Sequence, residues 1–136
     1  MRSPHYEGIV PQFTVPDVVA TAEYYRDVWG FRIVGYWKDP PVFAILQRDS
    51  IEIFFNQAPP GTTPRTGRLA GGYDIYLRVR GLDHLADGLA KRGATILDGP
   101  VQREYGMREL VVQDCNGLVL ALGEDSRDAG SVQRES

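Results

Sequence analysis

The sequence contains an approximate internal duplication, which limits the possible folds more than any other feature does. In each half, a strand-like run is followed by one amphipathic helix and then by three further short strands. From the end of the first strand to the end of the helix, Gly30 follows Val15 by 15 positions, and Gly93 follows Val79 by 14. This shared order and spacing predict two copies of one β-α-β-β-β unit within a single domain.

The predicted units span residues 8–57 and 73–124. In the first, Asp17 provides a helix N-cap and Gly30 a C-terminal stop. Apolar residues recur between them at steps of four and three, at Val18, Ala22, Tyr25 and Trp29. Leu82, Leu85 and Leu89 mark the second helix. The predicted strands are residues 9–15, 31–37, 42–47, 50–56, 73–79, 94–97, 107–113 and 118–123. We also predict a break at 98–100, a Pro- and Gly-rich linker at 58–72 and a disordered tail at 125–136.

The strands alternate in a way that predicts one helix-covered face and one uncovered face for each sheet. Large apolar residues occupy every second position and are expected to pack against the helices. The opposite face is mixed, and on it we place Val10, Gln12, Thr14, Glu52, Phe54, Asn56, Asp74, Tyr76, Arg78, Val119, Ala121 and Gly123. A mixed face of this kind is either exposed to solvent or lines a ligand groove, and Phe54 and Tyr76 favour the groove.

Composition excludes several functional classes. A single cysteine, Cys115, rules out an internal disulfide and a cysteine-based zinc site. The net charge of −3 argues against general nucleic-acid binding. Residues 1–8 lack the apolar region of a signal peptide, and no apolar run is long enough to cross a bilayer. We therefore expect a cytoplasmic protein with no nucleic-acid or membrane partner.

Three segments resemble the vicinal oxygen chelate superfamily, which includes glyoxalase I, extradiol dioxygenases and bleomycin-resistance proteins. They are VPQFTVPDVVATAEYYRDVWGF at the start, IEIFFNQ with YDIYLRVRGLDHLADGLAKRGA in the middle, and YGMRELVVQDCNGLVLAL near the end. The resemblance covers about residues 8–124. It implies an α+β fold in which two tandem βαβββ units form curved mixed sheets around a cleft.

Metal-dependent members of the superfamily hold a cation at four positions facing the cleft. The motifs map these positions to Val10, Glu52, Asp74 and Ala121. Valine and alanine cannot bind a metal, and a divalent cation needs at least three suitable protein ligands. Glu52 and Asp74 alone could hold only a loosely bound, hydrated Mg²⁺ or Ca²⁺. We therefore expect no metal and no other cofactor.

The segments are most similar to those of the bleomycin-resistance branch, which resembles a metal-free sequestering module. This resemblance implies a homodimer that binds an antibiotic or a related aromatic small molecule in a groove at the subunit interface, without chemistry. The predicted ligand-binding residues are Gln12, Trp37, Phe43, Glu52, Phe54, Asp74, Tyr76, Arg78, Tyr105 and Arg108. Aromatic rings would stack on a flat ligand, whereas Glu52 and Asp74 would meet a cationic one.

The sequence leaves two alternative functions open. The chain could be an isomerase, lyase or dioxygenase that uses Glu52 or Asp74 as a general base or as a reduced metal site. It could also be a regulatory subunit that binds partners through its dimer face. Whether the two units pair within one chain or swap between two chains is likewise open.

Overall fold

The structure, a computed structural model, describes residues 3–62 and 72–128 and contains two four-stranded mixed sheets with one ten-residue helix on each. The elements of the first unit are β1 (Gln12–Val15), α1 (Val18–Asp27), β2 (Arg32–Trp37), β3 (Phe43–Arg48) and β4 (Ile51–Gln57). Those of the second are β5 (Ile75–Arg78), α2 (Leu82–Lys91), β6 (Thr95–Gln102), β7 (Met107–Gln113) and β8 (Val119–Asp125). The predicted α+β class and the tandem βαβββ units are confirmed.

The two sheets have equivalent topology. Their strand orders are β1-β4-β3-β2 and β5-β8-β7-β6. In each sheet, the first and last strands of the unit are parallel, and the remaining pairs are antiparallel. The duplication seen in the sequence is therefore also a duplication of strand pairing. Most of the linker predicted at 58–72 lies outside the described residues.

Helix α1 forms as the sequence predicts. The Asp17 carboxylate accepts a hydrogen bond of 3.0 Å from the backbone N–H of Ala20, which caps the first turn. Gly30 has a φ of +76°, a left-handed conformation that ends the helix at little steric cost. The predicted apolar stripe is buried along its full length, with Tyr25 completely inaccessible to solvent. Tyr25 packs against Trp29, Phe31 and Phe55 at ring distances of 5.0–5.9 Å.

Helix α2 is capped from a distant strand. Gly81, at its N-cap, supplies no side chain, and the buried Glu124 of β8 accepts hydrogen bonds from the backbone N–H groups of Gly81 and Leu82. The negative carboxylate also stabilises the positive end of the helix dipole. Glu124 is therefore a structural residue at the end of a full-length strand, and Asp125, predicted to start the tail, also belongs to β8. One helical turn follows at 126–128, and the rest of the predicted tail lies outside the described residues.

Strand β6 is longer than predicted. The sequence indicated a short strand at 94–97 and a break at 98–100, but the strand continues to Gln102. Its pairing with β7 shifts register twice, between Ile96 and Asp98 and between Asp98 and Val101. These irregularities accommodate Gly99, which has a φ of +92°, and Pro100, which cannot donate a ladder hydrogen bond.

The units meet on the side that carries the helices. The Tyr25 hydroxyl donates a 2.6 Å hydrogen bond to Asp114 in the β7–β8 turn, and the Asn116 side chain donates to the Thr21 hydroxyl beside it. Arg92 donates to the backbone carbonyl of Val28. Buried apolar residues of both units form one continuous core. No helix in the described part of the chain is long and apolar enough to span a bilayer.

Candidate functional site

Among the residues that the structure describes, no helix covers one of the two faces of each sheet. Every side-chain hydrogen bond between the units, within the described part of the chain, lies on the helix-covered side. On the opposite side, Gln12 and Thr14 of β1 and Tyr76 of β5 are exposed, and Arg78 lies at the end of β5, at the rim between the two faces. We call these the helix-free faces. They contain most of the residues predicted to bind a ligand.

The helix-free face of the first sheet presents an aromatic surface. Phe43 and Phe54 lie on adjacent strands in an edge-to-face arrangement, with ring centroids 5.2 Å apart. Trp37 pairs with Phe43 in the β2–β3 register and is 61% exposed. Glu52, half-buried, pairs with Gln47 on the same face. This face therefore combines partly exposed aromatic rings with one carboxylate, side chains that can contact an aromatic ligand.

The helix-free face of the second sheet is organised around Glu109 of β7. This carboxylate is only 1% exposed, and three side chains donate hydrogen bonds to it. The Tyr76 hydroxyl donates to Oε2 at 2.6 Å, the Tyr105 hydroxyl to Oε1 at 2.7 Å, and Arg103 Nε to Oε1 at 3.0 Å. Arg103 also donates to Asp98 at 2.9 Å. We call Glu109, Tyr76, Tyr105 and Arg103 the Glu109 cluster.

The electrostatics of the Glu109 cluster favour a fixed arrangement. Burial alone would raise the pKa of Glu109, but the hydrogen bonds from Tyr76, Tyr105 and Arg103 outweigh burial and hold this pKa below its ordinary value. Burial and the hydrogen bond to Glu109 raise the pKa of Tyr76 well above its ordinary value. Glu109 is therefore an anionic acceptor and Tyr76 a neutral donor at physiological pH.

Gly123 explains why Tyr76 can reach Glu109. It lies on β8, where it pairs with Glu109 of β7 on one side and with Arg78 of β5 on the other, and the Tyr76 side chain passes over it. A Cβ atom at this position would collide with the hydroxyl and ring carbons of Tyr76. The absence of a side chain at Gly123 thus lets the tyrosine lie across the sheet.

The pH dependence of stability should report the ionisation of Glu109. Because its pKa is lower in the folded state than in the unfolded state, it contributes stability above its ordinary pKa, and this contribution is lost as the pH falls through the folded value. We expect the free energy of unfolding to drop more steeply in the wild type than in Glu109→Gln below about pH 5. Urea denaturation at a series of pH values measures this difference. Parallel curves for the two proteins would contradict it.

The Gly123→Ala substitution should displace Tyr76 from Glu109. We expect a loss of about 1 kcal/mol in the free energy of unfolding, at the low end for a charged hydrogen bond because Tyr76 is 42% exposed. Gly35→Ala on β2 is the matched control, since nothing lies within 4 Å of a Cβ built there. Denaturant unfolding compares the two variants. Equal stability of both would show that Gly123 has no steric role.

The four positions that the resemblance maps to a metal offer few donor atoms. Val10 precedes β1, and Ala121 is completely buried on β8. The Asp74 carboxylate accepts a 2.8 Å hydrogen bond from the backbone N–H of Val119. Within residues 3–62 and 72–128, no group of three or more His, Cys, Asp or Glu side chains could hold a metal ion. The donor set therefore does not fit the metal of the metal-dependent relatives.

The strand register gives a different counterpart for Ala121 than the motif mapping does. In the second sheet Ala121 pairs with Tyr76, and in the first sheet the residue that pairs with the equivalent Gln12 is Phe54. Phe54 is thus the counterpart of Ala121, and Glu52 lies two residues earlier on the strand. The register fills this fourth position with an aromatic ring.

The structure places most, but not all, of the predicted ligand-binding residues on the helix-free faces. Those found there are Gln12, Trp37, Phe43, Glu52, Phe54 and Tyr76, with Tyr105 bonded to Glu109 from the β6–β7 loop. Arg108 is separated from these residues. It lies on the helix-covered side, where its Nη2 bonds Asp83 of α2 at 3.0 Å. Arg78 lies at the edge of β5, near Asp125, and Asp74 is engaged with the backbone of Val119.

Sequence reasoning missed Glu109, Arg103 and Tyr73. Tyr73 lies near Tyr76, with their ring centroids 6.4 Å apart. Strand alternation could have identified Glu109, because Glu109 and Val111 share the face of their partners Gly123 and Ala121. The same alternation places Arg108 on the opposite face. No pattern in the sequence indicates Arg103, since its role depends on the conformation of the loop.

One protein family matches most of the sequence. A family model described as the Glyoxalase/Bleomycin resistance protein/Dioxygenase superfamily matches residues 3–122. No protein with a curated function matches the sequence.

Several solved structures resemble the chain over most of its length. TioX from Micromonospora sp. ML1 superposes with a TM-score of 0.71 at 16% identity, covering 88% of this chain and 99% of TioX. The virulence protein STM3117 from Salmonella typhimurium gives 0.64 at 21% identity, with coverages of 91% and 98%. A glyoxalase/bleomycin resistance protein/dioxygenase from Nocardioides gives 0.66 at 15% identity, with coverages of 90% and 85%. At these identities the likeness shows a shared fold.

Proposed function

The chain belongs to the glyoxalase/bleomycin resistance protein/dioxygenase superfamily, and on that basis we propose that it is a metal-free binding protein that sequesters an antibiotic or a related aromatic small molecule without chemistry. The observation that carries the proposal is the side chains at the family's metal positions. Val10 and Ala121 have no donor atom, and Asp74 is bonded to the backbone. A cation at this site would lack the three protein ligands it requires.

The binding surface is aromatic on both sheets. The first sheet contributes Trp37, Phe43 and Phe54, and the second contributes the tyrosines around Glu109. Stacking on such rings adds about 0.5–1.5 kcal/mol for each favourable pair beyond the burial of apolar area. Glu52, which is half-buried beside this surface, favours a ligand that carries a positive charge.

The groove forms between two copies of the chain in this proposal. In the described part of the chain no helix packs on either helix-free face, and strands β1 and β5 each lie at an edge of their sheet. Tyr6 and Ile9, in the extended segment before β1, are almost fully exposed. A second copy that covers these surfaces would bring an aromatic face of one chain opposite the Glu109 cluster of the other. Sedimentation should therefore give twice the chain mass of 15.2 kDa.

Calorimetric titration tests the proposal. The ligands are a bleomycin, a mitomycin and an enediyne, which together span cationic, small and extended aromatic antibiotics. We expect stoichiometric binding with a dissociation constant of about 1 μM or lower for at least one of them, equivalent to about 8 kcal/mol. Absence of binding across the panel would refute sequestration of such compounds.

The enzymatic alternative depends on Glu52, because the Asp74 carboxylate is engaged with the backbone of Val119. A general base must lie within hydrogen-bond reach of the proton it removes, and Glu52 is the acidic residue on the aromatic face. Turnover of any ligand by the wild type, abolished in Glu52→Gln while binding persists, would favour this alternative.

A further inference from the structure

A cavity of about 560 Å³ lies between the two units on the helix-covered side. Its apolar lining comes from both units and includes Trp29, Phe31, Leu85, Leu89 and Leu122. Leu122 alternates along β8 with Gly123, so the cavity and the Glu109 cluster lie on opposite sides of the second sheet. The cavity is therefore separate from the groove proposed above, and its volume suits a small organic molecule.

The mouth of the cavity is positively charged, although the chain as a whole has a net charge of −3. Three arginines line it, Arg48, Arg78 and Arg80, together with a single acid, Asp49. Asp49 lies 3.7 Å from the Nε atom of Arg48, and its side chain is 88% exposed. The lining thus has an excess of two positive charges in contact with an apolar interior.

Arg48 is held in place at this mouth. Its Nη1 donates a 2.6 Å hydrogen bond to the backbone carbonyl of Trp29. The guanidinium passes close to Gly30, where an added Cβ would lie 3.1 Å from Nη1. This arrangement orients one cation toward the cavity before any ligand arrives, which lowers the entropy lost on binding.

Arg78 and Arg80 are exposed and, within residues 3–62 and 72–128, have no ion-pair partner. Arg78 ends the edge strand β5 and lines both this cavity and a smaller pocket beside Gly123, so it lies at the rim between the two faces of the sheet. Asp125 and Asp128 are the nearby acids in that smaller pocket. Asp125 already binds Arg127, with Nη2 at 2.8 Å from its carboxylate. The guanidinium groups of Arg78 and Arg80 thus remain available to an incoming anion.

We propose that this cavity is a second binding site, for a small amphipathic anion. The apolar body of the ligand packs against Trp29, Leu85 and Leu89, and its carboxylate, sulfonate or phosphate group is bound by Arg78 and Arg80. The site goes beyond the proposed sequestering function, since its apolar interior lies on the opposite side of the sheet and it takes ligands of opposite charge. Because residues of both units line it, its occupant also stabilises the junction between them.

Tryptophan fluorescence tests this site directly, because the chain has only two tryptophans and Trp29 lines the cavity. Trp37→Phe leaves Trp29 as the sole reporter. The probe is ω-bromododecanoate, whose bromine quenches an indole that it contacts, used below its micellar concentration. We expect saturable quenching, and about tenfold weaker quenching by the uncharged ω-bromododecanol, which lacks the charge-assisted hydrogen bonds.

Removal of the arginines provides the second arm of the experiment. In the same background, Arg78→Gln/Arg80→Gln should weaken binding of the acid about tenfold. The matched control, Arg26→Gln/Arg32→Gln, removes the same charge outside the cavity lining and should leave the affinity unchanged. The proposal is overturned if the bromo acid does not quench Trp29. That result would also be seen if a second copy of the chain covered the cavity, and it would equally exclude a binding site there. Equal affinity for the acid and the alcohol, or equal effects of the two double variants, would also overturn it.

Discussion

Asp114→Ala is expected to lower the free energy of unfolding by about 3 kcal/mol, because it leaves buried donors without an acceptor. The carboxylate of Asp114 accepts hydrogen bonds from the Tyr25 hydroxyl at 2.6 Å and from the backbone N–H groups of Asn116 and Leu118 at 2.8 and 2.9 Å. Tyr25 is completely buried in the core of the first unit, so its hydroxyl loses its protein acceptor when Asp114 is removed. The substitution therefore weakens the second unit's turn and the junction between the units together.

Urea denaturation followed by circular dichroism measures this effect. Asp87→Ala is the matched control, since Asp87 is an exposed residue of α2, and it should change stability by less than about 0.5 kcal/mol. Tyr25→Phe should recover part of the loss when combined with Asp114→Ala, because it removes the stranded hydroxyl. A loss below about 1 kcal/mol for Asp114→Ala would show that the Tyr25–Asp114 contact does not hold the units together.

Trp37→Ala is expected to weaken binding of an aromatic ligand about thirtyfold, which corresponds to about 2 kcal/mol. Trp37 is the most exposed large ring on the helix-free face of the first sheet, and it pairs in register with Phe43. A flat ligand stacked on it would lose both apolar burial and the ring–ring interaction. Isothermal titration with the antibiotic that binds the wild type most tightly measures the change.

The adjacent residue supplies the control for this prediction. Tyr36 is 40% exposed, but it pairs with the buried Ala44, and its surroundings include Glu23 and Arg26 of α1. Its side chain is therefore on the helix-covered side, and Tyr36→Ala should leave the affinity within about twofold of the wild type. Equal losses for the two variants would show that the ligand does not bind to the helix-free face.

Much of the fold could be predicted from local patterns in the sequence. The stripe from Val18 to Trp29 fixes the buried side of α1, and Asp17 and Gly30 fix its ends, because capping and helical periodicity depend on residues close in sequence. The duplicated order of elements predicts equivalent sheets for the same reason. Sequence patterns did not predict the features that depend on contacts between residues distant in sequence. The extension of β6 through Gly99 and Pro100 depends on bulges against β7, and the burial of Glu124 depends on the start of α2.

The sequence predicted which face of each sheet carries the candidate site, but not how the side chains are arranged there. Alternation placed Phe54 and Tyr76 on the uncovered side of their strands, as the structure shows. The Glu109 cluster depends on Arg103 and Tyr105, which the β6–β7 loop brings to the carboxylate, and loop conformation is not encoded by periodicity. Whether Glu52 or Phe54 is the counterpart of Ala121 depends on the register between β1 and β4, and motif spacing does not determine that register.

The most direct test of the account is recovery of a bound ligand from metal-free protein. The protein is treated with EDTA, freed of the chelator and incubated overnight with the antibiotic that binds it most tightly. Calorimetry then gives the affinity, and mass spectrometry identifies the released ligand. If the protein binds without metal and without chemistry, the affinity is unchanged by EDTA or by added Zn²⁺, Ni²⁺, Fe²⁺ or Mn²⁺. The ligand is then recovered with its original mass. Conversion of the ligand, or binding that requires a metal, would contradict it.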